Sequence, residues 1–142
     1  VKPTIRQIQE TIAAKRHISV RAIKGPCRTP KLVRTRHDAI YLARRLTGHS
    51  YTTIGKHFGG RDHTSIIHAY RKVQDRIHRN QKTRVALAAM IDQLTFETHE
   101  RTLRLIDDRS AQKALVMNWW ERREIAPEHA ESLIRELHLE AA

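Results

Sequence analysis

Phe58-Gly59-Gly60-Arg61-Asp62-His63-Thr64-Ser65 places two glycines directly ahead of a helix start. Glycine accepts sharp turns and positive φ without the steric cost that other residues bear. Asp62 is a good N-cap, and from Ile66 onward the apolar residues recur at helical spacing. Before the glycines, Thr52 to Phe58 reads as a short helix. The unit is helix, tight turn, helix, the outline of a helix-turn-helix. In such a unit the second helix enters the DNA major groove with its N-terminal residues on base edges. Here those residues are Asp62, His63, Thr64 and Ser65.

Working outward, the second helix is predicted to run from His63 to about His78, with Ile66, Ile67, Tyr70, Val73 and Ile77 facing inward. Upstream, Pro3-Thr4 opens a first helix carrying Ile5, Ile8 and Ile12, and Ser19 caps a short second one that ends at Gly25-Pro26. Lys24 to Arg36 is basic and interrupted by Pro26 and Pro30, and reads as a loop or extended arm. A third helix is expected from about Arg34 to Leu46, ended by Gly48-His49-Ser50. Downstream, Arg79 to Lys82 is a polar break. Three further helices follow: one from about Val85 towards Ile106, one from Ala111 to Arg123 after a turn or cap at Asp107–Ser110, and a last one opened by Pro127.

Composition supports an all-α chain: 142 residues, 39% hydrophobic, 30% charged and 5% aromatic, with 5 Gly and 4 Pro. The net charge of +12 is concentrated in one part. Val1 to Arg84 holds 20 Lys and Arg against 4 Asp and Glu, whereas Val85 to Ala142 holds 7 against 11. That asymmetry points to a polyanionic partner for the basic part. Cys27 is the single cysteine, so neither an intrachain disulfide nor a cysteine metal cluster is available, and a reducing compartment fits. No apolar run approaches the ~18 residues of a membrane span, and the first residues lack the layout of a secretion signal. The expected location is cytoplasmic and nucleoid-associated.

The segment from Leu46 to Ile66, with its Gly-Gly-Arg-Asp-His-Thr core at 59–64, resembles the signature of the C-terminal DNA-binding domain of DnaA, the bacterial replication initiator. Weaker resemblance extends from about Thr4 to about Leu94. The resemblance implies a helix-turn-helix domain over 1–94 that binds double-stranded DNA; residues 95–142 lie outside it and read as a small C-terminal helical extension. It also implies base reading by Asp62, His63 and Thr64. Where the family often repeats Thr, this chain has Ser65, which keeps the hydroxyl and loses the methyl that would suit thymine. The alternative for His63 is a solvated residue on a capped surface helix.

Family members place an arginine of the basic loop in the minor groove, and the matching residue is Arg34, with Arg36 two positions on. Thr35 stands where the family commonly has proline. Arg28 and Lys31 become phosphate neighbours. Arg44, Arg45, Lys56, His57 and Arg61 flank the reading helix and are expected to hold backbone or bases, while Arg45 could equally be solvated or pair with Asp38.

Catalysis finds no support. Gly55-Lys56 is followed by His57 where a phosphate loop needs Ser or Thr, and no His-Glu-x-x-His occurs. A lone Cys27 without a placed His is weak ground for a nucleophile. The chain is therefore expected not to be an enzyme and to need no metal or cofactor. The function expected is sequence-specific binding at DnaA-box-like sites, in transcription or replication control without ATP hydrolysis. The alternative is a non-specific, nucleoid-type DNA protein. Leu103, Ile106, Leu115, Trp119, Leu133, Ile134 and Leu137 must be covered, either by their own chain or by a homodimer or protein partner, and the pair Trp119-Trp120 is either a binding surface or one core residue capped by the other.

Overall fold

The computed structural model describes residues 2–139, and all regular structure among them is helical. In chain order the helices are α1 (Ile5–Arg16), α2 (Val20–Lys24), α3 (Pro30–Thr47), α4 (Tyr51–His57), α5 (His63–Arg79), α6 (Gln81–Arg104), α7 (Arg109–Glu121) and α8 (Pro127–Glu136). The backbone divides into two compact units, one of Lys2–Thr95 and one beginning at Phe96. Helix α6 contributes its first part to the one and its last part to the other.

Local signals start and stop these helices. Thr4 and Gln7 form a reciprocal capping box at α1, and Ser19, Ser50 and Asp108 cap α2, α4 and α7 through their side-chain oxygens. Gly48 ends α3 in the left-handed region, at φ 70°. Pro127 sits in the first turn of α8. Pro30 does the same for α3, which corrects the expectation of a loop as far as Arg34. A proline at this position lacks only an N–H that the first turn leaves unpaired anyway, and its fixed φ suits the helix. Only residues 25–29 lie between α2 and α3, so Lys31, Arg34 and Arg36 ride on a helix.

In the first unit α3 is the central element, packed by α1, α2, α4 and α5. Its core joins Ile5, Ile8 and Ile12 of α1 to Ile40 and Leu42 of α3, Ile54 of α4, Phe58, and Ile66 and Val73 of α5. At about 25 cal/mol per Å² of apolar surface removed from water, such residues supply the main stabilisation. Asp38, 1% exposed, stands between α1 and α5: Oδ1 accepts from Arg76 Nη2 at 2.5 Å, and Oδ2 lies 2.7 Å from Arg16 Nη2. The pairing of Asp38 with Arg45 is thereby excluded; Arg45 is exposed on α3.

The second unit has a core of its own, made by Leu103, Val116, Trp119, Ile125, Ala130, Leu133 and Leu139, with Phe96, Leu115, Ile134 and Leu137 packed against it. Gln112 Nε2 donates to the carbonyls of Leu103 and Ile106, closing the end of α6. The two tryptophans part company. Trp119 is buried with its ring edge-on to His99, and Trp120 is 43% exposed.

Candidate nucleic-acid interface

The turn between α4 and α5 is built by three residues. Phe58 is fully buried and anchors it, while Gly59 and Gly60 take φ of 78° and 72°. A side chain at Gly59 would run into the Lys24 carbonyl, so the turn lies directly on the end of α2. Asp62 then caps α5, its Oδ1 accepting from the Ser65 N–H at 2.8 Å. That hydrogen bond is the chief reason the Asp62 carboxyl titrates below the usual carboxylate range. With the carboxylate used as a cap, His63, Thr64 and Ser65 project from the first turn of α5 as exposed side chains.

Beside them, residues 25–29 and the first turns of α3 form the facing wall. A groove of about 800 Å³ is lined by Arg28, Val33 and His37 on this side and by Thr64, Ser65 and His68 of α5 on the other. It adjoins a second hollow of about 700 Å³ where Arg28 and Arg34 face Lys72, Arg76 and Arg79. Arg28, Lys31 and Arg34 are exposed, as are Arg45 on α3 and Lys56 on α4. Arg44 is held at the far end of α3: its guanidinium lies 4.4 Å over the Tyr51 ring, and Nη1 donates to the His49 carbonyl at 2.7 Å.

Two arginines expected at the DNA surface are not free for it. Arg36 is 5% exposed and donates to the carbonyls of Ile23 at 2.7 Å, Gly25 at 2.9 Å and Cys27 at 2.9 Å, with a longer bond to Ala22. Arg61 is half-buried and donates to Lys24, Gly25 and Phe58. Burial lowers both guanidinium pKa values, that of Arg36 further through Arg61 and that of Arg61 through Arg28. The acceptors of Arg36 lie 9 to 14 residues earlier in the chain, and two of the three of Arg61 lie 36 and 37 residues earlier, outside the helix-turn-helix itself.

The sequence reading also passed over His37, His68, Lys72 and Arg79. Thr64, His68 and Lys72 follow one another at intervals of four, so a helical-face count on α5 would have found two of them. His37 is held neutral: burial, then the charge of Lys72, brings its pKa down to about 4. Gly55-Lys56 lies within α4, in a helix rather than a phosphate-binding loop.

A capped helix with an exposed first turn, beside a cationic wall and after a tight glycine turn, is a helix-turn-helix domain of the DNA-binding class. Residues 5–73 match the model of the bacterial DnaA protein helix-turn-helix family. The chain is also similar to chromosomal replication initiator proteins DnaA. It shares 43% identity over 70 residues with that of Mycoplasma capricolum, covering 49% of this chain and 16% of the relative. With those of Streptococcus thermophilus and Streptococcus pyogenes it shares 37% over 83 residues, 58% of this chain and 18% of the relative. The chain thus spans about one-sixth of the length of the curated relatives it matches. Among the described residues no helix is long and apolar enough to cross a membrane.

Proposed function

We propose that this chain binds duplex DNA sequence-specifically, at sites resembling the DnaA box, and acts there as a regulator of transcription or replication without hydrolysing ATP. The observation that carries the reading is the start of α5. Asp62 is spent as a cap, which leaves His63, Thr64 and Ser65 free to meet base edges beside Arg28 and Arg34. A thymine methyl suits the Thr64 methyl, and His63 can donate or accept according to its tautomer. Arg28, Lys31, Arg34, Arg45 and Lys56 supply phosphate attraction, and Arg34 is the residue for the minor groove.

The test is titration of a DnaA-box duplex and a scrambled duplex at several salt concentrations. Specific binding predicts a clear preference that persists as salt rises. Equal affinity for the two duplexes, with a steep salt dependence, would instead identify a non-specific nucleoid-type protein. That the chain neither binds nor hydrolyses ATP is tested by calorimetry with ATP: saturable micromolar binding would overturn it.

Contact of the second unit with another protein, most simply a second copy of this chain, is part of the same reading. Its support is narrower than the apolar residues alone implied, because Leu103, Trp119 and Leu133 are covered within the unit. It rests on Leu105, 82% exposed, and Trp120. Light scattering of the full chain, with Trp120→Ala returning a dimer to monomer, tests it.

A further inference from the structure

The segment 25–29 has no regular structure of its own, yet it carries Arg28 into the groove opposite Thr64 and Ser65. Something must fix it there, since a cationic loop left to itself would sample many positions and lose discrimination to entropy. Its carbonyls show what does. The Gly25 oxygen accepts from two guanidinia at once, Arg36 Nη2 at 2.9 Å and Arg61 Nη2 at 2.7 Å. Arg36 reaches forward from there to the Cys27 carbonyl and back to Ile23. Arg61 reaches to Lys24 and, through the same guanidinium, to Phe58 in the turn of the helix-turn-helix. Gly59 completes the contact by letting the turn lie against the Lys24 carbonyl.

Resting on the DNA-reading proposal above, we infer that Arg36 and Arg61 are positioning residues: together they clamp segment 25–29 to the turn that launches α5, so that the arm and the reading helix meet DNA in one fixed relation. Arg36 Nε and Nη2 and both terminal nitrogens of Arg61 donate to protein carbonyls, so their effect falls on discrimination between sequences more than on general attraction to phosphate. The planar guanidinium is what the task requires, because it presents several donors in a rigid fork. A lysine ammonium keeps the charge but cannot span carbonyls from three residues at fixed geometry.

The experiment follows from that difference. Arg61→Lys and Arg36→Lys are compared with wild type on box and scrambled duplexes, with circular dichroism to establish folding. A nitroxide on Cys27, the single cysteine and an exposed one, reports arm mobility. A clamp predicts a more mobile label and a box-to-scrambled preference reduced by about tenfold, with scrambled binding unchanged. A direct phosphate contact is preserved by lysine, so unaltered preference with an unaltered label would overturn the inference. Equal weakening on both duplexes would overturn it too. Should Arg36→Lys fail to fold, the half-buried Arg61 decides. If wild type itself shows no preference, the DNA-reading proposal fails, and label mobility alone settles whether the clamp exists.

Discussion

The backbones of Gly55 and Arg61 are in direct contact: the Arg61 N–H donates to the Gly55 carbonyl at 3.0 Å, and the Arg61 carbonyl oxygen occupies the space a Cβ on residue 55 would need. This contact sets how closely the turn folds back on α4. Gly55→Ala is therefore expected to destabilise the domain by about 1–3 kcal/mol, as overpacking does, despite the better helix propensity of alanine. Urea unfolding measures it, and an unchanged or raised midpoint would contradict it.

Asp38 offers a second stability test. Asp38→Ala strands two guanidinia on α1 and α5 against a buried gap, and breaking a buried pair typically costs about 3–5 kcal/mol. Arg45→Ala, at an exposed position in the last turn of the same helix, should stay within about 0.5 kcal/mol of wild type. Similar denaturation curves for the two variants would refute the Arg16–Asp38–Arg76 assignment.

On DNA the variants should separate by role. His63→Ala and Thr64→Ala are each expected to lose about 1–3 kcal/mol on a specific site and little on scrambled DNA. Arg34→Ala should weaken the specific site most where its flank is A·T-rich. Arg45→Ala, if confined to phosphate, weakens both duplexes alike and lowers the salt slope by about one. Anisotropy titrations at several salt concentrations read all four; loss of equal size on both duplexes for His63→Ala and Thr64→Ala would remove them from base reading.

Stability should also depend on pH through His37. The folded domain holds its imidazole neutral down to about pH 4, whereas in the unfolded chain it takes a proton near 6.5. Between those values the unfolded state binds more protons, so stability is full above the upper value and falls as pH drops toward the lower one. Urea midpoints measured at about pH 7.5 and about pH 5 should differ less for His37→Gln than for wild type. Equal differences would show that His37 contributes nothing to acid sensitivity.

In the second unit, adjacent tryptophans should behave oppositely. Trp119→Ala empties a core position and should cost about 3–5 kcal/mol. Trp120→Ala should leave the fold intact, because its ring is partly in solvent. Far-ultraviolet circular dichroism with thermal melting distinguishes the two.

The parts of this molecule legible from residue order are those held by near neighbours. Thr4, Ser19, Asp62 and Asp108 announce helix starts because a cap bonds an N–H only two or three positions on, and Ser50, read as the end of α3, caps α4 in the same way. Gly48, Gly59 and Gly60 mark turns because their backbone angles are local. The helix-turn-helix, and with it the exposed His63 and Thr64, could be read for that reason. Even the start of α3 was present in Pro30, a first-turn proline of the kind correctly read at Pro127. What only the tertiary structure decided involves partners far apart in the chain. Arg36 and Arg61 look like surface cations until segment 25–29 is folded over them, 36 residues away in the case of Arg61 and Gly25. Asp38 is matched to Arg76 across 38 residues rather than to nearby Arg45. Trp119 and Trp120 are alike in type; the four-residue spacing of Ala111, Leu115 and Trp119 marks the one that faces inward, and the packing of α7 on α8 buries it and leaves the other partly in water. A charge or an aromatic ring states what it can bind, and the surrounding chain determines whether solvent, a carbonyl or DNA can reach it.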